Sequence, residues 1–79
     1  MNEREKQIIN AMVLCDMNVL RVSRRLYMHR NTVEYWLAQI YSKTGLNPKV
    51  FLDLEKLKEM VDADTPSREN QQKGTETNA

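Results

Sequence analysis

Along residues 1 to 62 the apolar side chains recur at steps of three and four, the period of a helix with one buried face, and nowhere do they alternate as in a half-buried strand. The phase of this pattern changes at cap and turn residues, which divides the chain into four helical stretches. The first is predicted from about residue 2 or 3 to 15, with Ile8, Ile9, Met12 and Val13 at helical spacing and Asp16 near its exit. The second runs from about 19 to 26: Val22 and Leu26 fall four apart, Val19 lies three before Val22, and the small Ser23 permits close approach of another helix. Asn18 is its predicted cap, because its side chain can accept from an orphan amide of the first turn. The third runs from about 30 to 43 or 44, with Val33, Leu37 and Ile40 as an inward stripe and Gly45 as a left-handed stop. A fourth is predicted to open at Asn47-Pro48, with Asn47 as cap and Pro48 at the first position, where its missing amide hydrogen has no consequence. Its broad face of Val50, Phe51, Leu54, Leu57 and Met60 or Val61 covers the core and leaves apolar area for a second chain.

The expected class is all-α, a three- to four-helix bundle. Residues 63 to 79 hold no apolar side chain larger than alanine or proline, too little to offset the entropy of ordering them. They are expected to form a disordered C-terminal tail behind a domain spanning 1 to 62.

Composition removes several functions. Two glycines, Gly45 and Gly74, cannot build a glycine-rich phosphate loop, and one Cys15 with one His29 cannot supply a four-ligand zinc cage. No cofactor or metal is expected, and Cys15 reads as a small core residue. The longest apolar run, residues 11 to 15, is far short of the roughly 20 residues that cross a bilayer. The mixed charges of residues 1 to 6 lead into no signal-peptide core, so the expected location is the cytoplasm of a bacterial-type cell.

The net charge of +1 is unevenly spread. Residues 18 to 45 carry Arg21, Arg24, Arg25, Arg30 and Lys43 against Glu34 alone, whereas each of the other segments, 1 to 17, 46 to 62 and 63 to 79, holds one more acid than base. The positive field therefore coincides with the most distinctive stretch of the pattern. There, two helices are joined by only Tyr27-Met28-His29, with apolar residues at 22, 26, 28, 33, 37 and 40, the spacing of a helix-turn-helix. In such a pair the second helix protrudes and can enter a groove about 12 Å wide, while the first lies across the phosphates.

The segment NVLRVSRRLYMHRNTVEYWLAQIYSKTG resembles the carboxy-terminal helix-turn-helix of the PucR and CdaR type of bacterial transcription regulators. Asn18-Val19, Arg25-Leu26, the run from His29 through Arg30, Asn31 and Thr32 to Val33, then Tyr35, Leu37, Ile40 and Thr44-Gly45 stand where that family's motif has them. A looser likeness is to the Fis-type DNA-binding helix pair. The resemblance covers residues 18 to 45 strongly and 46 to 61 weakly, and it implies a DNA-binding domain that commonly works as a dimer. Glu34 and Trp36 occupy positions that tend to be basic in the family, which lowers the positive charge of the surface expected to face DNA.

Steps of 100° place Asn31, Glu34, Tyr35, Ala38 and Ser42 opposite the inward stripe of the third helix. Arg30 and Asn31, in its first turn, are the leading candidates for base contact, since Arg can bridge guanine O6 and N7 and Asn adenine N6 and N7. The plainer reading is that both only serve the helix start. Glu34 can accept from cytosine N4 or simply face solvent; Tyr35 completes the candidates for base contact and, like Thr32, can donate its hydroxyl to a phosphate. Arg21, Arg24, Arg25 and Lys43 are candidate phosphate contacts. His29 stands at a cap position, where its imidazole can bond a backbone amide or a phosphate. Trp36 lies about 60° off the inward stripe and is read as core edge.

The expected function is that of a sequence-preferring DNA-binding transcription regulator that inserts residues 30 to 44 into the major groove of double-stranded DNA. It is expected to act as a homodimer through helices one and four. The rival is a helix-turn-helix-derived protein-interaction module, an adaptor or anti-repressor that no longer binds DNA. An enzyme is least expected, because the carboxylates have no evident pocket and the only histidine caps a helix.

Overall fold

A computed structural model describes residues 1–64. Within them the chain forms α1 (Glu3–Leu14), α2 (Val19–Arg25), α3 (Arg30–Thr44) and α4 (Phe51–Asp64), with no strand among the described residues. The expectation of an all-α bundle holds. α1 is the centre of the assembly: it packs against each of the other three helices, α2 packs on α3, and among the described helices α4 packs on α1 alone.

The core is one cluster of Ile8, Ile9, Ala11, Met12 and Cys15 from the first helix and its end, Val22 from α2, Val33, Leu37 and Ile40 from α3, and Leu54, Leu57 and Val61 from α4. Met17, Val19, Leu26, Met28, Trp36 and Leu46 pack around its edge. Ser23 is buried, and its hydroxyl donates to the Leu20 carbonyl, so its small size serves the contact while its polar atom is satisfied. Val13 departs from the sequence reading. At 40% exposure it lies outside the core stripe, because Glu5, Ile8, Ile9 and Met12 already define a face centred about 90° away on the helical wheel.

The first two helices end in the same way. Met17 N–H donates to the Met12 carbonyl and Asp16 N–H to that of Val13; one helix later, Met28 N–H donates to Ser23 and Tyr27 N–H to Arg24. These are the paired bonds of a Schellman stop, which satisfy carbonyls that the helix leaves without partners. Asp16 and Tyr27 take the left-handed position usually given to glycine, at φ 54° and 55°. Met17 and Met28 follow them and fold back onto the core. Met17 itself also has a positive φ, 62°.

The opening of α4 corrects the sequence reading. Asn47 and Pro48 form a separate turn in which the Asn47 side chain accepts from Lys49 N–H and the Asn47 carbonyl from Val50 N–H. The helix begins only at Phe51, with Leu54 N–H bonded to the Val50 carbonyl. Asp53, in the first turn of α4, reaches back to accept from Asn47 N–H at 3.0 Å, which makes the turn and the helix start one unit. At its other end α4 continues to Asp64, two residues past the expected boundary at 62; the expected disorder of residues 65 to 79 lies outside the described residues.

Of the predicted apolar face of α4, Leu54, Leu57 and Val61 are buried, whereas Val50, Phe51 and Met60 stay exposed beside Leu52. Among the described residues no helix is long and apolar enough to cross a membrane, and no cluster of His, Cys, Asp or Glu could hold a metal ion.

Candidate nucleic-acid interface

Caps fix where the candidate reading helix starts and stops. Asn31 N–H donates to His29 Nδ1 at 3.0 Å, so the imidazole takes the amide-bonding role foreseen for it. Asn18 does the same for α2 by accepting from Arg21 N–H, also at 3.0 Å. Gly45, at φ 73°, closes α3, and the Thr44 hydroxyl bridges the last turn to the following strand of chain by donating to the Ile40 carbonyl and accepting from Leu46 N–H. With both ends set, α3 buries Val33, Leu37 and Ile40 against the core and turns Arg30, Asn31, Thr32, Tyr35, Ala38 and Ser42 to solvent.

The two first-turn candidates are free. Arg30 and Asn31 are exposed, and among the described residues neither side chain has a hydrogen bond or ion pair. Thr32 is likewise exposed and unpartnered. Tyr35 packs edge-on against Trp36, ring centroids 5.3 Å apart, while remaining about half exposed. That contact limits the rotation of Tyr35 without occupying its hydroxyl. Trp36 is partly buried against the core, at its edge, in line with its offset from the inward stripe.

The basic residues divide into two groups. Arg21, Arg24 and Arg25 on α2, like Arg30, are exposed and have no acidic partner among the described residues. Lys6, Lys43, Lys49 and Lys58 are each paired with a carboxylate, three of them over long sequence separations. Arg4 on α1 and Lys56 on α4 also lack an acidic partner, so four of the six unpaired basic side chains among the described residues lie on the helix-turn-helix, all of them arginines.

Lys43 is the candidate phosphate contact whose ammonium is already engaged. It lies 2.8 Å from Glu5 Oε2, and the Glu5 side chain is almost wholly buried. Glu5 Oε1 accepts from Asn2 N–H while Glu5 N–H donates to Asn2 Oδ1, a capping box at the start of α1. Burial pushes the Glu5 carboxyl up, but the Lys43 ammonium and the Asn2 amide outweigh it and hold the group below its ordinary value. The pair thus ties the first turn of α1 to the last turn of α3.

Glu34 is the other surprise. Its carboxylate is not simply solvated, for Oε1 meets Lys49 Nζ at 2.6 Å, and its side chain is 43% exposed. Lys49 belongs to the turn ahead of α4, which folds back beside α3. Sequence reasoning passed over this lysine because it lies in a segment whose overall charge is negative, and nothing local indicates that the turn returns to α3.

The family model for the PucR C-terminal helix-turn-helix domain matches residues 7–63, well over half of the chain, and takes in all of α2 and α3, two thirds of α1 and all but the last residue of α4. No curated protein and no solved structure is significantly similar to the chain. With the two helices, their short connection and their unpaired arginines in place, the chain belongs to the PucR C-terminal helix-turn-helix domain family, a family of DNA-binding regulatory domains.

Proposed function

We propose that the protein is a sequence-preferring transcriptional regulator that inserts α3 into the major groove of double-stranded DNA and acts in the cytoplasm as a homodimer. The observation that carries this reading is the set of four exposed arginines, Arg21, Arg24, Arg25 and Arg30, that lack any acidic partner among the described residues while four lysines are paired. Surface arginines left unpaired on two adjacent helices are suited to phosphate and to guanine. Arg30 and Asn31 lead into the groove and read base edges, with Glu34 and Tyr35 behind them. Arg21, Arg24 and Arg25 lie along the phosphates with Thr32. His29 contributes by fixing the helix start, and Lys43 reaches a phosphate only by leaving Glu5.

Pairing of two copies follows from size. One module of this kind buries about 600 to 1,000 Å² on DNA, and two on half-sites about 34 Å apart multiply affinity and selectivity. The surface proposed for this is on α1 and α4, where Val13, Leu14, Phe51, Leu52 and Met60 are exposed. Val13, Met17 and Phe51 line one groove between these helices with the buried Met12 and Leu54.

Selection of bound duplexes from a random pool at near-physiological salt, followed by a salt titration, tests the reading. Displacement of counterions by three or four arginines gives a slope of log affinity against log salt of about −3 to −4. Association with a protein that ignores salt, and no binding to duplexes, would favour the adaptor or anti-repressor instead.

A further inference from the structure

We propose that Lys49 is a specificity-positioning residue: it holds Glu34 by one carboxylate oxygen so that the other is presented to the amino group of a cytosine. The proposal rests on the DNA-binding reading above and assigns a role in it to a residue outside the helix-turn-helix. Glu34 is the sole acidic residue between 18 and 45. On a surface that meets phosphates, a bare carboxylate repels, and its side chain is free to rotate away from any base. Lys49 removes both handicaps. It contacts Oε1 at 2.6 Å, and among the described residues no other residue engages the carboxylate, which leaves Oε2 to accept a cytosine N4 hydrogen.

The ammonium reaches Glu34 from a backbone that is held in place. Lys49 N–H donates to Asn47 Oδ1, Asn47 N–H donates to Asp53 Oδ2, Val50 N–H donates to the Asn47 carbonyl, and Pro48 between them is buried. Arg30 stands four residues before Glu34, at a spacing where helical side chains meet, yet the two are not paired. Lys49 therefore also spares Arg30 for guanine. Because both partners of the ion pair are about half exposed, it contributes little to fold stability, and its placement is explained better by the surface it shapes.

The test uses the full chain and four variants, Glu34→Ala, Lys49→Met, Lys49→Arg and the double Glu34→Ala/Lys49→Met, each checked by thermal melting and then by selection of bound duplexes. The wild type is expected to prefer cytosine at one position about tenfold. Glu34→Ala and Lys49→Met lose that preference with unchanged melting, and Lys49→Arg keeps it. Lys49→Met also weakens binding to every duplex, because Glu34 is left uncompensated, and the double variant recovers that general loss. A Lys49→Met protein that still selects cytosine overturns the proposal while leaving DNA binding intact, as does a Glu34→Ala protein that does so. Failure of the wild type to bind any duplex in dilute buffer overturns the DNA-binding reading itself.

Discussion

Asp16 and Tyr27 occupy the same place in two helix stops of identical wiring, one leading into α2 and the other into α3. Aspartate tolerates the left-handed region through its short polar side chain, whereas a β-carbon bearing a phenol ring is strained there by about 1 to 2 kcal/mol. The ring gains nothing in return, since Tyr27 is 97% exposed. Tyr27→Gly is therefore expected to stabilise the domain by roughly 0.5 to 1 kcal/mol, after the greater freedom of glycine in the unfolded chain is subtracted. Tyr27→Ala is expected to leave the melting temperature nearly unchanged, because it keeps the β-carbon. Paired thermal melts of the two variants check this.

The buried Glu5 is expected to set an acid limit on the fold. Its carboxyl is held below its ordinary value of 4.5 in the folded chain, so its contribution is present in full above that value and is lost as pH falls through the lower folded value. Glu5→Gln should flatten this acid limb in a series of melts. Lys43→Met should destabilise the domain at neutral pH, by less than the roughly 3 to 5 kcal/mol of a fully buried pair, because the Lys43 side chain is half exposed. Equal acid sensitivity in wild type and Glu5→Gln would show that other carboxylates set the limit.

On DNA, Arg30→Ala and Asn31→Ala are each expected to weaken specific binding by about 1 to 3 kcal/mol without altering the melt, since both side chains are exposed and unpartnered. Arg21→Ala, Arg24→Ala and Arg25→Ala should instead weaken binding to all sequences alike and lower the magnitude of the salt slope by about 1 each. Titrations on specific and scrambled duplexes separate the two groups. An equal loss on both duplexes for Arg30→Ala would move that residue to the phosphates.

Pairing of copies is expected to depend on Leu52, which is 65% exposed at the start of α4. Leu52→Glu should leave the helical content and the affinity for a single half-site unchanged while reducing self-association and the affinity for a duplex with two half-sites. Sedimentation of the free protein and titration of both duplexes measure this. Unchanged sedimentation and unchanged two-site affinity would move the contact elsewhere.

Legibility followed the range of each interaction. The limits of α2 and α3 were readable because Asn18, His29 and Gly45 act on neighbours within a few residues, and the inward stripe of α3 was readable because Val33, Leu37 and Ile40 obey one period. The start of α4 was misplaced because an asparagine before a proline caps a turn with the same chemistry as it caps a helix; the difference lies in Asp53, which bonds Asn47 from the next element. The pairing of Glu5 with Lys43 and of Glu34 with Lys49 lay beyond reach for the same reason. Each joins distant stretches of chain, and an ion pair leaves no periodic trace. Val13 was assigned inward because the angular resolution of the wheel is coarse beside a stripe as full as that of α1.

That α4 rests on α1 alone has a consequence for how such a domain can change. In the proposed dimer, substitutions on the far side of α4 can alter the distance and angle between two copies while the helix proposed to enter the groove keeps its seat. The site a dimer prefers can then diverge in the gap between its halves and in the letters of each half by separate mutations, neither of which must wait for the other.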